Sequence, residues 1–197
     1  MASVAPEVEA RRRAVVDLEW TWLRQVHGTT VAQVEAPGGQ AGAKADAAVA
    51  RIPSAALAVL AADCAPVALA ADAGVIGVAH AGWRGLAAGV LEAAVGAMRD
   101  LGAGDVVAAL GPCIHAECYE FGEDDLDTVA ARLGDVVRAT TATGRPALDV
   151  PAAVVAALGA AGVTEVQDVD VCTACSPDYF SWRARRDTGR QAAVVWR

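Results

Sequence analysis

The sequence predicts an α/β (α+β) fold of layered, mixed β-sheets flanked by helices. Two observations carry this. Strand-length runs of Ala, Val and Leu are interspersed with longer stretches of helical apolar period. Their order lacks the strict strand–helix alternation of a doubly wound sheet, so a layered fold with mixed sheets fits better. The 197 residues favour one domain, a single catalytic unit spanning 1–197. Such a chain buries a sizeable core without disulfides. Hydrophobic residues reach 55% while aromatics reach only 5%, so small side chains fill the interior and elements pack closely.

Residues 7–24 mix charges with apolar positions and fit a short helix or an edge strand. In residues 25–35, His27-Gly28 reads as a turn and the β-branched run behind it as a strand. Residues 37–42 form a loop. Residues 47–51, 56–62 and 66–71 read as short strands, Asp72-Ala73-Gly74 as a turn, and 75–79 as a buried strand. Residues 85–101 carry a helical pattern that Gly102 ends. A strand at 106–110 precedes a helix at 124–133, stopped by Gly134. A helix at 150–158 opens with Pro151, which a first turn tolerates. Strands at 166–171 and 192–196 follow.

A net charge of −8 and a pI near 4.8 argue against nucleic-acid binding, which needs a basic footprint for phosphates. A small anion can still bind locally. No stretch is long and apolar enough to cross a membrane. The N-terminal residues lack the apolar core and cleavage site of a secretory signal. With five cysteines, an odd number, the expectation is a cytoplasmic protein with reduced thiols.

The chain has three histidines, His27, His80 and His115. His27 and His80 sit at strand edges near glycine, and Cys64 ends an apolar strand. If the strands on either side of residues 72–74 pair as a hairpin, residue 71 faces 75 and His80 faces Pro66, two positions from Cys64. Cross-strand neighbours approach within about 5 Å and diagonal ones within about 8 Å, so Cys64 and His80 can share an ion. Spacing gives no such link for His27. A two-His, one-Cys set suits zinc and leaves a fourth position open, the catalytic pattern. Any one of these residues, taken alone, is more often a packed thiol or a satisfied imidazole.

The segments QVHG (25–28), ADCxP (62–66), HAGWRG (80–85), GPCI (111–114) with YEFG (119–122), and the CT, FS and TGRQ elements of 172–191 occur in this order. Together they resemble the YfiH-like laccase-domain family, also called polyphenol oxidase or peptidoglycan editing factor. The resemblance covers roughly residues 22–197. It implies zinc ligands at His27, Cys64 and His80. It implies phosphorolysis of adenosine, inosine, guanosine and methylthioadenosine, with deamination of adenosine. It implies layered mixed sheets related to the cytotoxic necrotizing factor hydrolases. Only 24 residues precede Gln25, fewer than is usual in the family, so a more open pocket is expected.

Zinc acidifies bound water to a pKa of roughly 7, and zinc nucleobase deaminases add a carboxylate as proton carrier. Asp63, beside Cys64, is the candidate, against the alternative that it anchors a turn. Arg84, placed just before a helix starting near Gly85, is the candidate phosphate ligand, with Gly82 allowing close backbone approach. Gly111 and Cys113 could wall the substrate pocket. Cys113 and Cys118 read as packed thiols, Cys172-Thr173-Ala174-Cys175 as a weak lone CxxC, and Arg183, Arg185, Arg186 and Arg190 as a solvated face, against the alternative that they contact phosphate. A multicopper cluster needs more imidazoles than three, although a single His2Cys copper site is possible. A Cys-His hydrolase acting on peptidoglycan precursors, with Cys64 as nucleophile and His80 as base, is another reading, and a plain binding protein a third. The expected partners are a purine nucleoside and phosphate, with the chain a monomer or weak homodimer.

Overall fold

The computed structural model describes residues 5–197. The chain opens with helix α1 (Pro6–Val15), followed by strands β1 (Trp20–Trp22), β2 (Val31–Val34), β3 (Ala47–Ala50), β4 (Ala56–Ala61), β5 (Ala65–Ala71) and β6 (Ile76–Ala81). Helices α2 (Trp83–Ala88) and α3 (Val90–Asp100), strand β7 (Val106–Leu110) and helix α4 (Glu123–Leu133) come next. Strands β8 (Arg138–Thr140) and β9 (Pro146–Leu148), helix α5 (Val150–Ala160), strand β10 (Val166–Asp168), helix α6 (Trp182–Arg185) and strand β11 (Gln191–Trp196) complete it.

A six-stranded mixed sheet, order β10-β7-β5-β6-β3-β2, forms the centre. A three-stranded mixed sheet, β1-β4-β11, lies against one face, and helices α2 to α5 pack on the other. Strand alternation explains the sandwich. In β3, Ala47 and Val49 join the core beneath the helices, while Ala48 and Ala50 join the core shared with Leu57 and Val59 of β4. Every residue of β3 and β6 is therefore buried, as expected of strands covered on both faces. Small residues permit the close stacking: a Cβ on Gly77 would lie 3.1 Å from Met98 Sδ.

The expected layered fold and most of its strands are present. Both readings of residues 7–24 have a counterpart, since α1 precedes edge strand β1. The single helix expected over 85–101 is two helices. Gly89, at φ +96°, breaks it, and its N–H closes α2 onto Gly85 and Leu86. The strand expected over 166–171 stops at Asp168, whose carboxylate accepts the N–H of Asp170 in a local turn. Pro66 pairs with His80, the register that a turn at 72–74 imposes. This strand end carries the candidate site.

Candidate metal centre

The side chains of His27, Cys64 and His80 converge. One donor atom of each lies within 4.8 Å of the others. Cys64 Sγ is 3.8 Å from His27 Nε2, and the two imidazoles meet edge to face at 4.8 Å between ring centres. Three chain segments deliver them. His80 is the penultimate residue of β6, Cys64 lies in the link from β4 to β5, and His27 lies in the loop from β1 to β2. His27 adopts φ +59°, an uncommon left-handed conformation that histidine tolerates better than most residues.

Asp46, fully buried just before β3, organises the cluster. Its carboxylate accepts the N–H groups of Val26, His27 and Gly28 at 2.8–3.2 Å, which fixes the His27 loop. It also bonds His80 Nδ1 at 2.9 Å. That contact commits Nδ1 and leaves Nε2 for the centre, the carboxylate–histidine arrangement found behind metal ligands. Burial works against the Asp46 carboxylate, but His80 and the three amides outweigh it and hold its pKa at about 2. Burial alone would push the Cys64 thiol up, yet the hydrogen bonds from His27 and His80 bring it down to about 6. Burial disfavours a charged His80, but Asp46 and then Cys64 raise it to about 9. Both histidines thus favour the thiolate form of Cys64.

Gly82 has a steric role here. A Cβ on it would lie 2.6 Å from His27 Cδ2 and 3.3 Å from Cys64 Sγ. Gly82→Val is expected to displace the His27 ring and weaken metal binding by about 10-fold or more, with the fold retained. Chelator competition beside a circular dichroism spectrum checks this, and an unchanged affinity would remove the steric role.

The trio opens into a cleft of about 600 Å³, also lined by Gln25, Trp83, Arg84, Tyr119, Trp182 and Arg190. Trp83 and Phe121 pack edge to face at 5.3 Å. The Arg84 guanidinium lies 4.2 Å over Trp83. Among the described residues neither Arg84 nor Arg190 pairs with a carboxylate. Arg84 does not precede the helix as expected. It is the second residue of the six-residue α2, so its own charge, not a helix terminus, is what it offers the cleft.

Other expected site residues lie elsewhere. Both carboxylate oxygens of Asp63 are engaged, one by Thr173 Oγ1 at 2.8 Å and one by the Arg183 N–H at 2.6 Å. At φ +90° this residue anchors the loop that presents Cys64, which places its side chain away from a proton-carrying position. Gly111 packs on Pro66, with its would-be Cβ 3.0 Å from that ring. Cys113 is 1% exposed, and burial raises its thiol pKa far above the ordinary range. Neither lines the cleft. Sequence reasoning missed Asp46, Tyr119 and Trp182. Asp46 carried a signal, an acid set directly against the apolar run of β3, and Tyr119 opens the YEFG segment of the ordered motifs.

Residues 4–197 match the multi-copper polyphenol oxidoreductase laccase family. The chain is 45% identical to a purine nucleoside phosphorylase of Streptomyces coelicolor over 96% of its length and 80% of the relative's. It is 37% identical to one of Pseudomonas aeruginosa over 95% of its length and 79% of the relative's. A Neisseria meningitidis crystal structure superposes with TM-score 0.84 at 34% identity, over 98% of this chain and 82% of that one. YlmD from Geobacillus stearothermophilus does so with TM-score 0.85 at 31% identity, over 96% and 80%. The chain belongs to the YfiH-like laccase-domain family that its ordered motifs resemble.

Proposed function

We propose that this protein is a zinc-dependent purine nucleoside phosphorylase that also deaminates adenosine, with His27, Cys64 and His80 holding the metal. The observation that carries the reading is one cleft with three features. A thiolate–imidazole cluster forms its floor, aromatic rings form its walls, and two arginines free of carboxylates stand at its edge. The names of the relatives point the same way. Two imidazoles and one thiolate suit zinc and leave a position open for substrate or water. A zinc ion bound there supplies a Lewis acid and acidified water, the chemistry that deamination of adenosine requires.

In phosphorolysis a phosphate oxygen bonds to C1′ of the ribose as the bond from C1′ to the purine nitrogen breaks. The electron pair leaves with the base, which takes up a proton from solvent. Arg84 and Arg190 hold the phosphate and offset its charge, and Arg84 can do so through two parallel N–H donors. Trp83, Tyr119 and Trp182 offer rings to the purine face. Asp46 fixes the tautomer of His80, and Asp63 fixes the Cys64 loop. Adenosine, inosine, guanosine and methylthioadenosine share the purine and ribose that these groups address.

Arg84→Ala is expected to raise the KM for phosphate by about 10-fold or more, consistent with losing a charge-assisted contact of about 1.5–3 kcal/mol, while the KM for inosine changes little. Steady-state kinetics with each substrate varied in turn checks this. Equal effects on both constants would move Arg84 out of the phosphate site.

One observation favours a second reading. A Cys64 thiol brought to about 6 beside two imidazoles also describes a Cys-His nucleophile. Zinc removal and thiol alkylation separate the two. Activity that survives zinc removal and is lost on alkylation supports the nucleophile.

A further inference from the structure

A second group of donors lies outside the lining of the cleft. Cys118, Cys172, Cys175 and Glu117 place one donor atom each within 4.8 Å of one another. The Sγ atoms of Cys118 and Cys175 are 3.3 Å apart, and Cys175 Sγ is 3.8 Å from Glu117 Oε1. All three cysteines are free thiols. We propose that Cys118, Cys172, Cys175 and Glu117 form a second, structural zinc site.

The local chain geometry supports this. Residues 172–176 form a tight turn in which the Ser176 N–H reaches the Cys172 carbonyl. Two cysteines separated by two residues on such a turn have the usual spacing of a zinc half-site. The single-turn 3-10 helix at Ala116–Cys118 brings the other two donors from a distant part of the chain. Zinc–sulfur bonds of about 2.3 Å in a tetrahedron separate the sulfurs by about 3.8 Å, within the spread of the donors. A disulfide would use only two of the three thiols, whereas a metal uses all three together with Glu117, which also lies 3.9 Å from His115 Nδ1. Four protein donors close the coordination sphere, which distinguishes a structural site from the open catalytic pattern. Arg185 donates to the carbonyls of Thr173 and Ala174, which holds the turn, while its Nε pairs with Asp187.

The position gives the site a purpose. Thr173, between the two turn cysteines, bonds the Asp63 carboxylate that anchors the Cys64 loop. Tyr119, next to Cys118, walls the cleft. A metal joining the two segments would fasten this wall to the loop that carries Cys64.

Metal analysis of reduced, zinc-replete protein tests the proposal independently of the first site. The expected zinc content is two per wild-type chain, one in His80→Ala and one in the double variant Cys118→Ser/Cys175→Ser. Cobalt-substituted Cys64→Ser/His80→Ala should retain an intense near-ultraviolet thiolate-to-cobalt band, which only the second cluster can then supply with its own cysteines unaltered. If the catalytic site alone fails, wild type and His80→Ala each hold one metal and the proposal stands. A His80→Ala protein without metal, a double cysteine variant that matches wild type, or a Cys118–Cys175 disulfide in the zinc-replete protein would overturn it.

Discussion

Replacing Cys64 by Ser is expected to lower phosphate-dependent release of hypoxanthine from inosine by more than about 100-fold. Losing a partner behind a metal ligand typically costs 10–100-fold in affinity or activity, and losing the thiolate itself should cost more. The structure concentrates the effect on one atom. Cys64 Sγ is the anionic donor of the trio, and His27 and His80 favour its charged form. The fold should survive, because Ser differs from Cys by one atom and the residue is only partly buried. Base release followed spectrophotometrically, alongside metal content, checks the result. A variant that keeps both activity and metal would place the chemistry elsewhere in the cleft.

Asp46→Ala is expected to act on both stability and metal affinity. The carboxylate is fully buried and serves four donors, the amides of residues 26–28 and His80 Nδ1. Removing one member of a buried charged pair costs about 3–5 kcal/mol. Urea unfolding of the metal-free protein should show a loss of this order. Asp46→Asn keeps the side-chain volume, so it isolates the effect on the centre. Metal affinity measured against a chromophoric chelator should fall by about 10- to 100-fold. Wild-type stability in Asp46→Ala would mean that water replaces the carboxylate without cost, and the clamp would carry no weight.

The strand framework was legible because its signals are local. Ala- and Val-rich runs gave β3 to β7, and the Asp72–Gly74 turn gave the β5–β6 register, with Pro66 opposite His80. Gly89 was not read as a break, because one glycine inside an apolar helical pattern is often tolerated. The β8–β9 hairpin and the four-residue α6 were missed, since both are too short for periodicity to register. At the site, hairpin register placed Cys64 near His80. His27 reaches them through its amide bonds to Asp46, a long-range contact with no sequence period. Asp63 shows the limit of adjacency. It neighbours Cys64 in sequence, yet its positive φ turns the carboxylate to Thr173 and Arg183. The thiols of Cys118 and Cys175 lie 57 residues apart in sequence and meet only in the folded chain.

We propose that His27, Cys64 and His80 hold one metal ion in the cleft. A crystal of the zinc-replete protein, with diffraction recorded on both sides of the zinc absorption edge, tests it most directly. The expected result is an anomalous peak about 2.0–2.1 Å from His27 Nε2 and His80 Nε2 and about 2.3 Å from Cys64 Sγ. No peak among these three atoms, with the protein still cleaving inosine in phosphate, would rule out this metal centre and leave Cys64 as a nucleophile.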